Sequence, residues 1–136
     1  MLKSQGLQLE DSQLASAERL VKLAAAAVKA ACIDIQLTQE RDGKHQLPGS
    51  TVFTAPEMET IEALVPTLEG STDRQKNPHP VEGLARASWV IARLGGWNCY
   101  YKPPGPITFR RGMERFYAIH HGRMLEMRLQ RDVRLP

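Results

Sequence analysis

The chain has 136 residues, of which 42% are hydrophobic and 24% charged, the proportions of a globular protein with room for a core of one domain or slightly more. Two separated cysteines, Cys32 and Cys99, with no C-x-x-C spacing or Cys/His cluster, exclude a zinc site of the usual kind. The N-terminus lacks the pattern of a secretory signal. The apolar run Ala24–Ala31 is too short to cross a membrane and is broken by Lys22, Lys29 and Asp34. The expected setting is cytoplasmic, with free thiols and no membrane contact.

The formal net charge of +3 is unevenly spread. Residues 97–136 hold eight basic and three acidic side chains, a net of +5, leaving 10 basic and 12 acidic, a net of −2, in residues 1–96. A basic end suits a polyanion such as DNA, and it also describes a solvated arginine-rich tail.

In chain order, the first helix is expected from about Ser12, a plausible N-cap, to Glu40. Leu14, Ala17, Val21, Ala24, Val28, Ala31 and Ile35 recur at steps of three and four, and Leu20, Leu23, Ala27 and Ala30 form a second stripe. So wide an apolar face needs more than one neighbour, and the rest of the chain does not obviously supply them. After a loop from Arg41 to Thr51, Thr54-Ala55-Pro56-Glu57 reads as a capping box with proline in the first turn. Met58, Ile61, Leu64, Val65 and Leu68 give that second helix its apolar face, and Pro66 should kink or end it.

Glu69–His79 is polar and rich in turn residues, which marks an internal boundary. The division expected is residues 1–70, a linker at 71–79, and a second domain at 80–136. A third helix should start at Pro80 and stop at Gly95-Gly96, with Leu84, Ala87, Ile91 and Leu94 on one line and Arg86 and Arg93 sharing another face. Trp97–Ile107 is an irregular, proline-stiffened loop carrying Tyr100, Tyr101 and Lys102. Those aromatics could lie on a DNA backbone, stack on an unpaired base, or pack on Trp97. Thr108 is the expected cap of a fourth helix whose stripe is Phe109, Met113, Phe116 and His120. Gly112 and Gly122 inside it suggest close helix approach, across a dimer or within the chain. No segment alternates as a strand, so the fold class is all-α, an irregular bundle of about four helices.

No catalytic constellation emerges. His120 and His121 are adjacent and point about 100° apart on a helix, so they cannot share a metal. Glu57, Glu59 and Glu62 lie where a helix start favours acids in any case. Ser88 and Cys99 have no base close in sequence, and no glycine-rich phosphate loop is present.

The segment Leu84-Ala85-Arg86-Ala87-Ser88-Trp89-Val90-Ile91-Ala92-Arg93-Leu94-Gly95-Gly96-Trp97 resembles the C-terminal signature of the insertion-sequence-four (transposon-five-like) DDE transposases, with Ile91–Gly96 as the shared core. Leu2-Lys3-Ser4-Gln5-Gly6-Leu7 and Glu10-Asp11-Ser12-Gln13-Leu14 resemble the same family just after its catalytic helix. The resemblance implies the last helices of an RNase-H-like catalytic domain followed by a C-terminal dimerisation domain. Lys3 resembles the final lysine of a Tyr-x2-Arg-x3-Glu-x6-Lys motif, whose metal-binding Glu would then precede Met1. The expectation is a C-terminal fragment of a cut-and-paste transposase that mediates dimerisation, or synapsis, and contacts transposon-end DNA. No catalytic or metal-binding residue is expected in it, and no cofactor, although the parent enzyme would use magnesium.

On the same resemblance, Lys3, Gln13 and Lys102 are candidate DNA contacts. Arg110 and Arg111 join them on electrostatic grounds alone. Phe109, Met113, Phe116 and His120 are the candidate dimer contact. The expected partners are a second copy, full-length transposase and transposon-end DNA. The alternative is a stand-alone helical interaction module, or a transposition inhibitor without intrinsic DNA binding.

Overall fold

The computed structural model describes residues 2–134, with side chains from Gln8 onward. It is all-helical: α1 (Leu2–Glu40), α2 (Ala55–Leu68), α3 (Leu84–Leu94) and α4 (Pro106–Arg134), with short 3-10 turns at Gly49–Thr51 and Asp73–Gln75. Among the described residues there is no strand, only one isolated bridge between Pro48 and Gly83. No described helix is long and apolar enough to cross a membrane.

The chain divides into two compact units, Met1–Cys32 and Ile33–Pro136. The first is helix alone. Every described side chain from Gln8 to Cys32 is exposed, including Leu14, Leu20, Val21, Leu23 and Val28. The broad apolar face anticipated from the sequence is therefore present and bare. Helix α1 also runs straight through Ser12 from Leu2. A serine inside a helix costs only a few tenths of a kcal/mol, too little to impose a boundary without a competing turn.

The second unit holds the core. Helix α3 is its axis, packed against both α2 and α4. Nine of its residues, Leu84, Ala85, Ala87, Ser88, Trp89, Val90, Ile91, Ala92 and Leu94, are buried, so neighbours cover it on nearly every side. Phe53, Ile61, Val65, Phe109, Met113 and Phe116 close around it, joined by Leu37 from the end of α1. Each large apolar side chain so buried contributes roughly 1.5–3 kcal/mol.

Helix α2 starts as its sequence dictates. The Thr54 hydroxyl accepts from the Glu57 amide (3.3 Å), and the Glu57 carboxylate accepts from the Thr54 amide (2.8 Å). Pro66 lies inside the last turn, two residues before the helix ends at Leu68. Helix α3 begins at Leu84, not Pro80, because the preceding backbone pairs elsewhere. Gly49 N–H donates to Glu82 O (2.7 Å) and Leu84 N–H to Leu47 O (2.8 Å). Helix α4 begins at Pro106, two residues before Thr108, since proline needs no donor in a first turn.

The expected linker at 71–79 does not separate two cores. It loops within the second unit, and α2 before it packs directly on α3 and α4 after it. The segment bonds inward: the Asn77 backbone N–H donates to the Glu69 carboxylate (2.8 Å) and Asn77 Nδ2 to Arg86 O (3.2 Å). A turn-rich composition reports surface exposure, and a surface loop of one domain has the same composition as a linker.

Candidate nucleic-acid interface

The residues expected to touch DNA are divided between the two units. Lys3 is helical in backbone, but its side chain lies outside the described residues. Gln13 is exposed on α1, in the first unit. In the second unit, Lys102 is exposed on the loop before α4, and Arg110 and Arg111 are exposed on the first turns of α4. Successive helix positions diverge by about 100°, so the two arginines face different directions. Arg110 has a local role as well. Asp34 is only 8% exposed; burial raises its pKa, with Glu114 adding to that rise and Arg110 opposing it.

That arrangement has a pH signature. A carboxyl whose folded pKa lies above its ordinary value of 3.8 binds more protons in the native state, so stability falls as pH rises through the window between the two values. Asp34→Asn is therefore expected to raise the thermal midpoint at pH 7, with the gain vanishing by about pH 3. Paired melting curves at the two pH values check this.

The other basic residues of the C-terminal segment split into two groups. Arg115 Nη1 donates to Leu94 O, and Arg123 Nη1 donates to Thr60 Oγ1 (2.9 Å). These two guanidiniums hold α4 to the end of α3 and the middle of α2. Arg128, Arg131 and Arg134 are exposed on the last turns. Arg86 and Arg93 on α3, which share a face by spacing, are likewise structural. Arg86 forks onto Glu62 (2.6–3.0 Å) and reaches His79 O (3.0 Å). Arg93 donates to Leu68 O (3.0 and 3.2 Å) and Trp97 O (2.6 Å), with its guanidinium 5.9 Å from the Trp89 ring centre.

Phe109, Met113, Phe116 and His120, expected on the dimer contact, are buried within the chain itself. Phe109 and Phe116 are 0% exposed and His120 is 9% exposed. Phe116 meets Phe53 edge-on at 5.6 Å and stacks on His120 at 5.7 Å. His120 Nδ1 lies 2.8 Å from Thr60 Oγ1. The stripe was read correctly as apolar and helical. It covers α3 and α2 of its own chain, and so is not free for a partner. Gly112 serves the same packing: a Cβ there would overlap the Ile91 carbonyl oxygen.

Beyond this buried stripe, α4 exposes a second one that sequence reading passed over. Ala118, Gly122, Leu125, Leu129 and Val133 follow at steps of four and three, and all are exposed. Leu129 is 55% and Val133 84% exposed, and a Cβ at Gly122 would meet nothing within 4 Å. The signal was present as an i, i+4, i+7 pattern, but interleaved arginines mask it in any hydropathy average.

The loop carrying Lys102 is held in place by its neighbours. Tyr100 Oη is 2.6 Å from Thr72 Oγ1, and the Arg74 guanidinium lies 5.6 Å from its ring centre. Arg41 Nη1 donates to Pro104 O (2.7 Å). Tyr101 is left outside, 83% exposed. Beneath the loop, burial pushes the His79 pKa below its ordinary 6.5 and Arg86 pushes it the same way, against Asp42 and Glu40. The folded state then binds fewer protons than the unfolded chain just below pH 6.5, so acidification costs stability there. The denaturation midpoint is expected to fall between pH 7.5 and 5.5, and less steeply in His79→Gln.

Among the described residues no group of three or more His, Cys, Asp and Glu side chains is placed to hold a metal. No family model, curated protein or solved structure matches the chain.

Proposed function

We propose that the chain is the C-terminal, pairing part of a cut-and-paste DNA transposase of the insertion-sequence-four type. It joins a second copy, or full-length transposase, in the cytoplasm at transposon-end DNA. In this reading its first helix is the end of an RNase-H-like catalytic domain. The magnesium-binding acids belong to that domain, and the chain alone cleaves no DNA.

The observation that carries the reading is the structural use of Ile91–Gly96, the core of the resemblance. Ile91, Ala92 and Leu94 are buried in the bundle axis. Arg93 ties α2 and Trp97 together. A Cβ at Gly95 would overlap the Thr108 carbonyl oxygen, and Gly96 adopts φ +99°. Every position in the run is constrained by how α3 turns into the Lys102 loop and α4, which is the physical basis a shared signature needs. Lys102, Arg110 and Arg111 supply phosphate contacts, and Ala118, Gly122, Leu125, Leu129 and Val133 supply the pairing face.

Fluorescence anisotropy with a labelled duplex over a salt series tests the DNA half. Affinity should fall with a slope of about −0.9 per phosphate contact on a log–log plot. Light scattering over a concentration series tests the pairing half, and a strict monomer at the highest concentration sinks it.

A second reading rests on the bare apolar residues of Gln8–Cys32. Leu14, Leu20, Val21, Leu23 and Val28 are all exposed, which also suits a stand-alone helical interaction module, or a transposition inhibitor without intrinsic DNA binding. Pairing with no duplex binding at low salt would favour it.

A further inference from the structure

The second unit contains an open cavity of about 500 Å³ beneath the Tyr100–Gly105 loop. Its wall is aromatic and apolar: Trp89 and Trp97 from α3 and the turn after it, with Tyr101 and Pro104 from the loop. Arg41, Arg74 and Lys76 stand on its lining, with Asp42 and Asp73 among them. Two buried polar atoms belonging to lining residues, Ser88 Oγ and Trp97 Nε1, have no hydrogen-bond partner.

These features select a ligand. A planar ring can stack on indole and phenol faces whatever its substituents, which is how single-stranded nucleic acid is held without sequence preference. Three cations against two carboxylates leave one net positive charge, which suits one phosphodiester better than a polyphosphate. The volume lies within the range of small-ligand sites and admits one nucleotide, whereas a duplex keeps its bases inside the stack. Neither Ser88 Oγ nor Trp97 Nε1 reaches solvent as the loop stands, so a base edge would partner them only as the loop gives way. The stacking ring of Tyr101 and the ammonium of Lys76 are reachable without that movement, both being exposed.

We propose that this cavity receives one unpaired nucleotide of a DNA end, its base against Trp97 and Tyr101 and its phosphate on Arg74 and Lys76. The proposal rests on the DNA-end reading above, and adds to it a preference for ends that are single-stranded. Lys102, on the same loop as Tyr101, would then mark where the duplex backbone arrives.

The test titrates the full chain with a blunt duplex and with the same duplex carrying a two-nucleotide single-stranded extension, following the fluorescence of Trp89 and Trp97. The extended duplex should bind about tenfold more tightly, a stacking-sized difference, and alone should quench the indole emission. Tyr101→Ala and Lys76→Ala alter exposed side chains and should keep the fold. Each should shrink the preference while leaving blunt-duplex affinity in place. Equal affinity for both DNAs, with no quenching, overturns the cavity proposal and leaves the DNA-end reading standing. No binding to either DNA at low salt overturns both. A preference that survives both substitutions also overturns the assignment to this cavity.

Discussion

Gly112→Ala is expected to destabilise the chain by at least about 2 kcal/mol, although alanine is the better helix former. In an exposed helix the same change would gain about 1 kcal/mol. Here α3 lies too close. A Cβ on Gly112 would overlap the Ile91 carbonyl oxygen and press on the Ile91 side chain. The obstructing atom belongs to the backbone of α3, whose residues are buried on nearly every side, so α3 cannot yield without disturbing α2 as well. Inserting one methyl into a full core costs roughly 1–3 kcal/mol when side chains can adjust, and more when backbone must move. Gly122→Ala is the control on the same helix. Nothing lies within 4 Å of its Cβ position, so that substitution should stabilise the monomer by up to about 1 kcal/mol. Urea denaturation separates the two, with the midpoint falling for Gly112→Ala and rising for Gly122→Ala at an unchanged slope. Equal midpoints for the two variants would mean that α3 and α4 do not approach so closely.

The contrast between these two glycines shows what a sequence can and cannot convey here. Both were readable as unusual, because each sits inside a strong helical pattern. Only geometry tells that one faces a backbone and the other faces open space. Helix identity was readable throughout, since the three-and-four spacing of apolar residues and the Thr54–Glu57 box are local signals. Helix starts were less so. Leu84 begins α3 because Glu82 and Leu84 bond to the 47–49 segment, a contact that no local pattern announces. The candidate site was harder again. Arg86, Arg93, Arg115 and Arg123 have the composition of a polyanion surface, yet each donates to a carbonyl, carboxylate or hydroxyl of its own chain. The cavity draws on five separate stretches between Arg41 and Pro104, and periodicity within one stretch cannot show their meeting.

The same ambiguity decides how pairing should be probed. Phe109, Met113 and Phe116 look like a dimer stripe because a buried helix face and an interface face share one pattern. Their burial makes Phe116→Ala a folding variant. Phe116 is 0% exposed and touches Phe53 and His120 through its ring, so truncation should cost about 3–5 kcal/mol at every protein concentration. Leu129→Glu should behave oppositely. Leu129 is 55% exposed on the last turns of α4, so a charge there leaves the bundle's stability within about 0.5 kcal/mol. If Ala118, Gly122, Leu125, Leu129 and Val133 form the pairing face, the same charge would be desolvated at the contact. The dimer dissociation constant should then rise at least tenfold. Sedimentation equilibrium beside thermal melting separates the effects. Phe116→Ala lowers the melting point, whereas Leu129→Glu weakens association in a chain that melts normally. Unchanged association in Leu129→Glu would remove this face from the interface. Association lost alongside an unchanged melting point in Phe116→Ala would return the interface to the stripe that the sequence first suggested.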